Sequence, residues 1–192
     1  MLLRHIFAMS LSVASAAAWS DTFDINLNND VAQFQYNLNT GRATQGKSEL
    51  RFGVLYNDTN SLLGEAGLMV ANDADKASGI SVGVGVKVLT ASIGRTGYPK
   101  INASAVALGG QLRFSPPAAK AFGIVGEFQF APRIITFADA DSYDQVGLRL
   151  EYEVMPQTMA YAGYRKIRFG VRNGGPSAVL DDGAHVGVKL AF

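Results

Sequence analysis

The sequence predicts an all-β protein, an antiparallel transmembrane β-barrel of about ten strands preceded by a cleaved signal peptide. Three observations lead to this prediction: a leader-like N-terminus, a repeated alternation of apolar and polar residues, and a final strand that ends on Phe192. Successive side chains of a strand point to opposite faces, so the alternation describes strands with one apolar and one polar face. Bacterial barrels have an even number of strands, which also allows eight if the first two short strands pair only loosely.

The N-terminal segment has the three parts of a secretory signal peptide. Arg4 and His5 form a short basic region, residues 6–13 form an apolar run, and small residues follow. The apolar run is shorter than the roughly 20 residues that a membrane-spanning helix requires. We expect a signal peptide at 1–20, an outer-membrane barrel domain at 21–192, and no transmembrane helix in the mature chain. Cleavage is compatible with three positions, of which the last is favoured: Ala16, Ala18 and Ser20.

The charge balance and the absence of cysteine exclude several classes of protein. The chain has 17 Lys and Arg against 16 Asp and Glu, and losing Arg4 with the signal leaves 16 against 16. A neutral mature chain argues against a nucleic-acid partner, which usually requires a basic patch. With no cysteine, an exported chain has neither disulfides nor a cysteine-ligated zinc site.

Alternation defines the strands in chain order. The clearest case is the fifth, where the valines from Val82 to Val88 alternate with Ser81, Gly83, Gly85 and Lys87. The phase of the ninth segment is ambiguous, and we interpret its Gly163 as a β-bulge. The ten alternating segments are 23–28, 33–38, 49–56, 62–70, 80–88, 106–114, 122–130, 146–154, 158–169 and 185–192.

Turn chemistry separates these segments and predicts their orientation. Asparagine- and aspartate-rich turns are expected at 28–30 and 57–60, and proline turns at 115–117 and 155–157. A periplasmic C-terminus would place both proline turns in the periplasm and the long connections outside, as in known barrels. The segment at 39–46 fits less well, because it would be a long periplasmic turn. The long connections expected outside are 94–102, 132–142 and 171–183.

The polar face must point into the lumen if the apolar face contacts lipid. A barrel of about ten strands is barely wider than one that side chains can fill, so opposite charges are expected to pair and to block a wide pore. Inward glycines either leave water-filled gaps or permit strong coiling at small radius, and we favour coiling. The candidate lumen-lining residues are Glu49, Arg51, Glu65, Lys87, Arg113, Glu127, Arg149, Glu151, Glu153, His185 and Lys189.

The distribution of aromatic residues favours a membrane barrel over a soluble β-sandwich, which would also alternate. Aromatic residues near strand ends are typical of the interface girdles of membrane barrels. The residues interpreted in this way are Phe34, Tyr36, Tyr56, Phe114, Phe128, Phe130, Tyr143, Tyr152, Tyr161, Tyr164 and Phe192.

No catalytic, cofactor-binding or metal-binding residue is predicted. His185 is the only histidine left after signal removal, and its parity with Phe192 places it in the lumen, away from lipid substrates. The loop carboxylates Asp139, Asp141 and Asp144, with Asp181 and Asp182, could bind a cation, but solvated carboxylates are the favoured interpretation. Basic residues beside the last outer loop could contact lipopolysaccharide phosphates: Lys166, Arg168 and Arg172.

The mature sequence resembles the YfaZ family of outer-membrane proteins over nearly its whole length. The segments that carry the resemblance are 24–30, 108–116, 131–132, 161–166 and 180–187. The resemblance implies an outer-membrane barrel that is sometimes described as porin-like, and it brings no catalytic residues.

We therefore expect an integral outer-membrane barrel that is structural or porin-like, with at most narrow solute passage. The alternatives are a plugged barrel that acts in surface binding or adhesion and, less favoured, a lipid-modifying enzyme. The expected partners are outer-membrane lipids, lipopolysaccharide and the barrel assembly machinery, which would recognise the C-terminal strand through Phe192. We expect a monomer with no cofactor and no nucleic-acid partner.

Overall fold

A computed structural model of the chain describes residues 21–43, 46–75, 78–95, 97–172 and 175–192. The predicted signal peptide and its three candidate cleavage sites, Ala16, Ala18 and Ser20, lie outside the described residues. No helix in the described part of the chain is long and apolar enough to cross a membrane.

Eleven β-strands and one turn of 3-10 helix, Arg133–Ile135, make up the described secondary structure. Ten of the strands are long enough to build the barrel wall, and β8 is a short addition in a connection. The strands are β1 Thr22–Leu27, β2 Val31–Ala43, β3 Gly46–Asn57, β4 Ser61–Asp75, β5 Ile80–Arg95, β6 Tyr98–Phe114, β7 Phe122–Ala131, β8 Thr136–Ala138, β9 Ala140–Met155, β10 Thr158–Val171 and β11 Ala178–Ala191.

The ten long strands form a closed antiparallel barrel. Each pairs with its neighbour along the chain, with β8 attached to β6 and the ring passing directly from β7 to β9. The first and last strands close the ring in a register that sets Thr22 opposite Ala191 and Leu27 opposite Val186. Closure removes the sheet edges, whose unpaired backbone groups a bilayer could not satisfy. The predicted fold class and the count of ten strands are confirmed.

The two ends of the barrel differ in their connections. We call the end where β1 begins and β11 finishes the terminal end, and the opposite one the far end. The proline turns between β6 and β7 and between β9 and β10 lie at the terminal end. The connections predicted to be long, β5–β6, β7–β9 and β10–β11, all lie at the far end, which agrees with the predicted sorting.

Two predicted loops are paired strand. Strands β5 and β6 continue to Arg95 and Tyr98, so most of 94–102 belongs to a hairpin. Similarly, β2 and β3 continue to Ala43 and Gly46, with a register shift near Asn39. Sequence patterning missed both extensions because backbone pairing continues where the side chains no longer alternate in polarity.

The outer surface of the barrel is apolar, as the alternation predicted. Val84 is 66% exposed and Val186 is 62% exposed, and both lie at outward positions of their strands. The phase of β10 is also clear, because Gly163 pairs regularly with Arg149 and His185. The predicted bulge at Gly163 is therefore wrong, and the irregularity facing β11 lies between Ile167 and Arg168.

Two of the aromatic residues assigned to the interface girdles point inward instead. Tyr143 is 0% exposed and Tyr161 is 6% exposed, and both contact other lumen side chains. Sequence position near a strand end does not distinguish the lipid face from the lumen face, which is why these two assignments were wrong.

Candidate functional site: the barrel lumen

The lumen glycines make room for long side chains that lie flat across a neighbouring strand. A Cβ added at Gly53 would lie 2.9 Å from the Glu65 side chain, and one at Gly67 would lie 2.8 Å from Lys87 Cβ. A Cβ at Gly187 would overlap the Tyr161 ring, which reaches across β11 to bond with Asp24 on β1. Neither sequence-based interpretation, water-filled gaps or coiling, anticipated that polar side chains cover these glycines.

The far half of the lumen is filled by apolar side chains, which we call the far-end plug. They come from the far-end portions of β2 to β7 and β9 to β11, so nine of the ten barrel strands contribute to the plug. Its members are Val31, Leu55, Leu63, Leu89, Ala91, Ile93, Ile101, Ala103, Ala105, Ala107, Ala131, Ala140, Tyr143, Ile167, Phe169, Ala178 and Leu180.

The plug is tightly packed. The rings of Tyr143 and Phe169 are 4.9 Å apart at 56°, and both side chains are fully buried. Leu55 and Ile93 are also 0% exposed. Side chains buried to this degree make contacts like those of a protein core. The plug was not predicted, because alternation was taken to give a polar lumen along the whole strand, although Leu89, Ala91 and Ile93 continue the inward phase of Lys87.

A buried polar network lies directly beneath the plug. Lys87 Nζ donates to Glu65 Oε2 at 2.8 Å and to Gln145 Oε1 at 2.7 Å. Tyr143 donates its hydroxyl hydrogen to the same Gln145 oxygen at 2.6 Å, and its ring lies 5.4 Å from the Lys87 ammonium. Tyr143 therefore belongs to both layers and joins the apolar plug to the charged middle of the lumen.

A second set of buried pairs lines the β1, β2, β10 and β11 wall. Arg165 Nε donates to Asp181 Oδ2 at 2.7 Å, and the same guanidinium donates to Gln33. The Tyr161 hydroxyl donates to Asp24, and its ring lies 5.9 Å from the ring of His185. Buried ionic groups are tolerated only when paired, so these contacts hold the wall in one arrangement.

A small polar cavity of about 60 Å³ lies within this middle layer. Four buried atoms of its lining have no hydrogen-bond partner among the described residues: Asn26 Oδ1, Gln129 Oε1, His185 Nδ1 and Arg165 Nη2, the last of which is ion-paired with Asp181. A polar cavity of this size can hold a few water molecules that bridge such atoms.

A larger cavity of about 790 Å³ occupies the terminal half of the lumen, and we call it the vestibule. It reaches the terminal end, where Gly46, Gly79 and Ser115 lie at its rim. Its charged lining residues are Asp24, Lys47, Glu49, Arg51, Asp73, Arg113, Glu127, Arg149 and Lys189.

Three cations of the vestibule converge on one carboxylate, an arrangement that we call the Glu151 cluster. Arg149 Nε lies 2.8 Å from Glu151 Oε1, Lys189 Nζ lies 3.5 Å from the same oxygen, and Arg113 pairs with Oε2. Arg113 reaches Glu151 from β6 across β7 because Gly123 lies between them. The carboxylate is 1% exposed, whereas its cations are 18–28% exposed towards the vestibule.

The structure places the candidate lumen residues in four environments. Glu65, Lys87 and His185 line the small polar cavity of the middle layer, and Glu151 is buried beneath its cations. Glu153 is exposed near the terminal end and has no ion pair among the described residues. Those lining the vestibule are Glu49, Arg51, Arg113, Glu127, Arg149 and Lys189.

The C-terminal residue is placed as part of the ring closure. The Phe192 backbone N–H donates to the Asp21 carbonyl at 3.0 Å, and its ring lies 6.3 Å from that of Tyr36. The side chain remains 61% exposed on the outside of the barrel.

The far-end charges considered for cation or lipopolysaccharide binding have partners within the protein. Asp141 pairs with Arg133, Asp144 with Arg168 and Asp182 with Lys166. Asp181 pairs with Arg165, and Asp139 accepts the Asn102 backbone N–H. Arg172 donates to the carbonyls of Ala140 and Thr136. Across the described ranges, no three acidic or histidine side chains are grouped as a metal site would require.

Solved structures with a similar fold include three outer-membrane proteins. The KdgM porin is 12% identical, and the match covers 90% of this chain and 99% of that chain with a TM-score of 0.45. The NanC porin is also 12% identical, with 91% of this chain and 100% of that chain covered and a TM-score of 0.47. The outer membrane channel DcaP of Acinetobacter baumannii is 11% identical, with 88% of this chain and 54% of that chain covered and a TM-score of 0.43. TM-scores below 0.5 at this identity carry no argument about what the present chain does. No curated protein matches it.

The barrel architecture and the sequence match together give location and family. A closed sheet with an apolar outer face is the form of β-structure that crosses a bilayer, so the protein is an outer-membrane β-barrel. The sequence matches the family described as YfaZ precursor over residues 2–192, and the chain belongs to that family.

Proposed function

We propose that this protein is an outer-membrane barrel that is closed to free solute diffusion, with its vestibule facing the periplasm. The orientation is supported by the position of both proline turns at the terminal end, where β1 begins and β11 finishes, since short turns face the periplasm in known barrels. The far-end plug then lies on the extracellular side. Such a barrel would serve a structural or binding role and not general permeation.

The far-end plug is the observation that carries this proposal. Its side chains come from nine of the ten barrel strands, and Leu55, Ile93 and Phe169 are each 0% exposed. A constriction lined by apolar side chains is a barrier to ions even where it is short, because an ion would lose its hydration without gaining polar partners. Beneath it, the Lys87–Glu65 pair and Gln145 fill the next layer.

Planar-bilayer conductance tests this proposal. We expect no stable current steps from the wild type, and frequent steps from a Phe169→Ala, Ile93→Ala double variant that opens the plug. A Phe128→Ala, Leu148→Ala double variant removes comparable apolar volume from the lipid face and should remain silent. Stable steps from the wild type would contradict a closed barrel.

The vestibule favours porin-like passage as a second candidate. A chamber of about 790 Å³ leading to the plug could be one half of a narrow pathway if the plug moves aside. This candidate would be favoured if an applied voltage or an added solute produced stable current steps from the wild type, and if the Phe128→Ala, Leu148→Ala control, which keeps the plug, responded no more strongly.

We also propose that the protein is not an enzyme. His185 is 6% exposed inside the lumen, and no serine hydroxyl hydrogen-bonds to it among the described residues. A general base must lie within hydrogen-bond reach of its nucleophile. Hydrolysis of membrane lipid by purified protein that is lost in His185→Ala would contradict this proposal.

A further inference from the structure

We propose that the Glu151 cluster is a binding site for a dianionic oxyanion, namely phosphate or a phosphate monoester, in the vestibule. The proposal is independent of whether the barrel conducts, because the vestibule reaches the terminal end in either case. It rests on the charge of the cluster, on the free donors of its cations and on their exposure to the cavity.

The charge of the cluster is unbalanced in a partly buried place. Arg113, Arg149 and Lys189 contribute three positive charges, and Glu151 contributes one negative charge. A structural ion pair would need only one cation per carboxylate. The cations that Glu151 does not neutralise lie on its vestibule side, where the charges of Asp24 and Glu127 offset them only from a distance. An oxyanion that accepts their free donors would replace this longer-range attraction by direct charged hydrogen bonds.

The donors that remain free point to an oxyanion. Arg149 uses Nε for Glu151, and no described residue accepts from its two terminal nitrogens. Arg113 uses Nε for Ser115 and Nη1 for Glu151, which leaves Nη2 available. Lys189 makes only its 3.5 Å contact with Glu151 within the described residues. Fork-shaped guanidinium donors beside an ammonium suit the several oxygens of a phosphate group.

The cations are held in place before any ligand binds. The Arg149 guanidinium lies 5.3 Å from the Tyr161 ring, and its side chain packs over Gly163. Arg113 packs over Gly123, where an added Cβ would lie 3.1 Å from Nη2. Such preorganisation reduces the entropy that binding must overcome.

Other carboxylates limit how the site can work. Asp24 and Glu127 line the same cavity, and Asp24 already accepts the Tyr161 hydroxyl hydrogen. The overall charge of the vestibule is therefore close to balanced. The ligand must be held by direct donation from the cluster, which predicts selectivity for oxyanions over chloride at equal ionic strength.

Isothermal titration calorimetry on the folded barrel in detergent tests the site, with inorganic phosphate and glycerol 3-phosphate as probes near pH 8. We expect saturable binding of one or both, with a Kd of about 1 mM or tighter. Sodium chloride at matched ionic strength should produce no saturable heat. Arg149→Gln and Lys189→Gln should each weaken binding about tenfold, the loss expected for one charged hydrogen bond.

Two further variants separate ligand binding from general charge and from folding. Lys47→Gln removes the same charge from the same vestibule, away from the cluster, and should change the Kd less than twofold. Glu151→Gln frees the cations and should tighten binding, an outcome that a merely structural cluster would not produce. Each variant must keep the heat-dependent gel migration of a folded barrel.

Absence of saturable binding by the wild type would overturn the proposal. So would equal losses in Lys47→Gln and Lys189→Gln. Binding of inorganic phosphate without glycerol 3-phosphate would assign the site to the free ion, and binding of both would extend it to monoesters.

Discussion

Truncating Phe169 should cost more stability than truncating an equivalent phenylalanine on the lipid face. Phe169 is 0% exposed within the far-end plug and contacts Tyr143, whereas Phe128 is 55% exposed on the outer face. Phe169→Ala loses the transfer free energy of the ring and also leaves a cavity that rigid neighbours cannot fill, which together cost about 3–5 kcal/mol. Fluid lipid refills the space left by Phe128→Ala, so only the transfer part is lost, about 1.5–3 kcal/mol.

The difference of roughly 1–2 kcal/mol is the cavity contribution and the lost ring contact with Tyr143. Residues 21–192 contain no tryptophan, so urea unfolding of this barrel segment in liposomes is best followed by circular dichroism and by heat-dependent gel migration. Equal losses in Phe169→Ala and Phe128→Ala would refute the reasoning, because they would mean that the plug is as fluid as the surrounding lipid.

Three other predictions concern the lumen and the last strand. Gly187→Ala places a Cβ against the Tyr161 ring and should destabilise the barrel by about 1–3 kcal/mol, whereas Gly126→Ala, which meets nothing within 4 Å, should have little effect in the same unfolding assay. Lys87→Met leaves Glu65 buried without its cation and should lower the unfolding free energy by about 3–5 kcal/mol. Adding Glu65→Gln should recover part of this loss, and no recovery in the double variant would argue against the pairing. Lys166→Met, at the exposed Lys166–Asp182 pair, should change stability little. Phe192→Ala should lower the yield of assembled barrel in cells several-fold, while refolded protein should lose only about the 1.5–3 kcal/mol expected for Phe128→Ala, because both rings lie on the outer face; equal yields from Phe192→Ala and Phe128→Ala would make Phe192 an ordinary outer-face residue instead of an assembly signal.

The sequence predicted much of the barrel wall because the wall is a local pattern. Alternation at Val82 to Val88 defines one lipid-facing strand without reference to any other part of the chain, and turn residues such as Pro116 and Pro156 separate the strands. The even strand count and the sorting of connections followed from these local signals. The same rule failed where pairing outlasts the alternation, as in the hairpin from Arg95 to Tyr98.

The lumen was predicted only as a set of inward positions. Parity assigned Arg113, Arg149 and Lys189 to the inner face, but parity does not say which side chains meet. Their convergence on Glu151 depends on the register of β6, β7, β9 and β11 and on the space left by Gly123.

By itself, the sequence determined the membrane-facing surface and the antiparallel order and predicted about ten strands, with eight left open, because each depends on side-chain period and on turns between neighbours. Only the tertiary structure decided that the far half of the lumen is an apolar plug and the terminal half a charged vestibule. Closure brings inward residues from all ten strands together, and barrel register sets which of them share a level. That is why Leu55, Ile93 and Phe169, far apart in the chain, belong to one apolar cluster in the far half of the lumen.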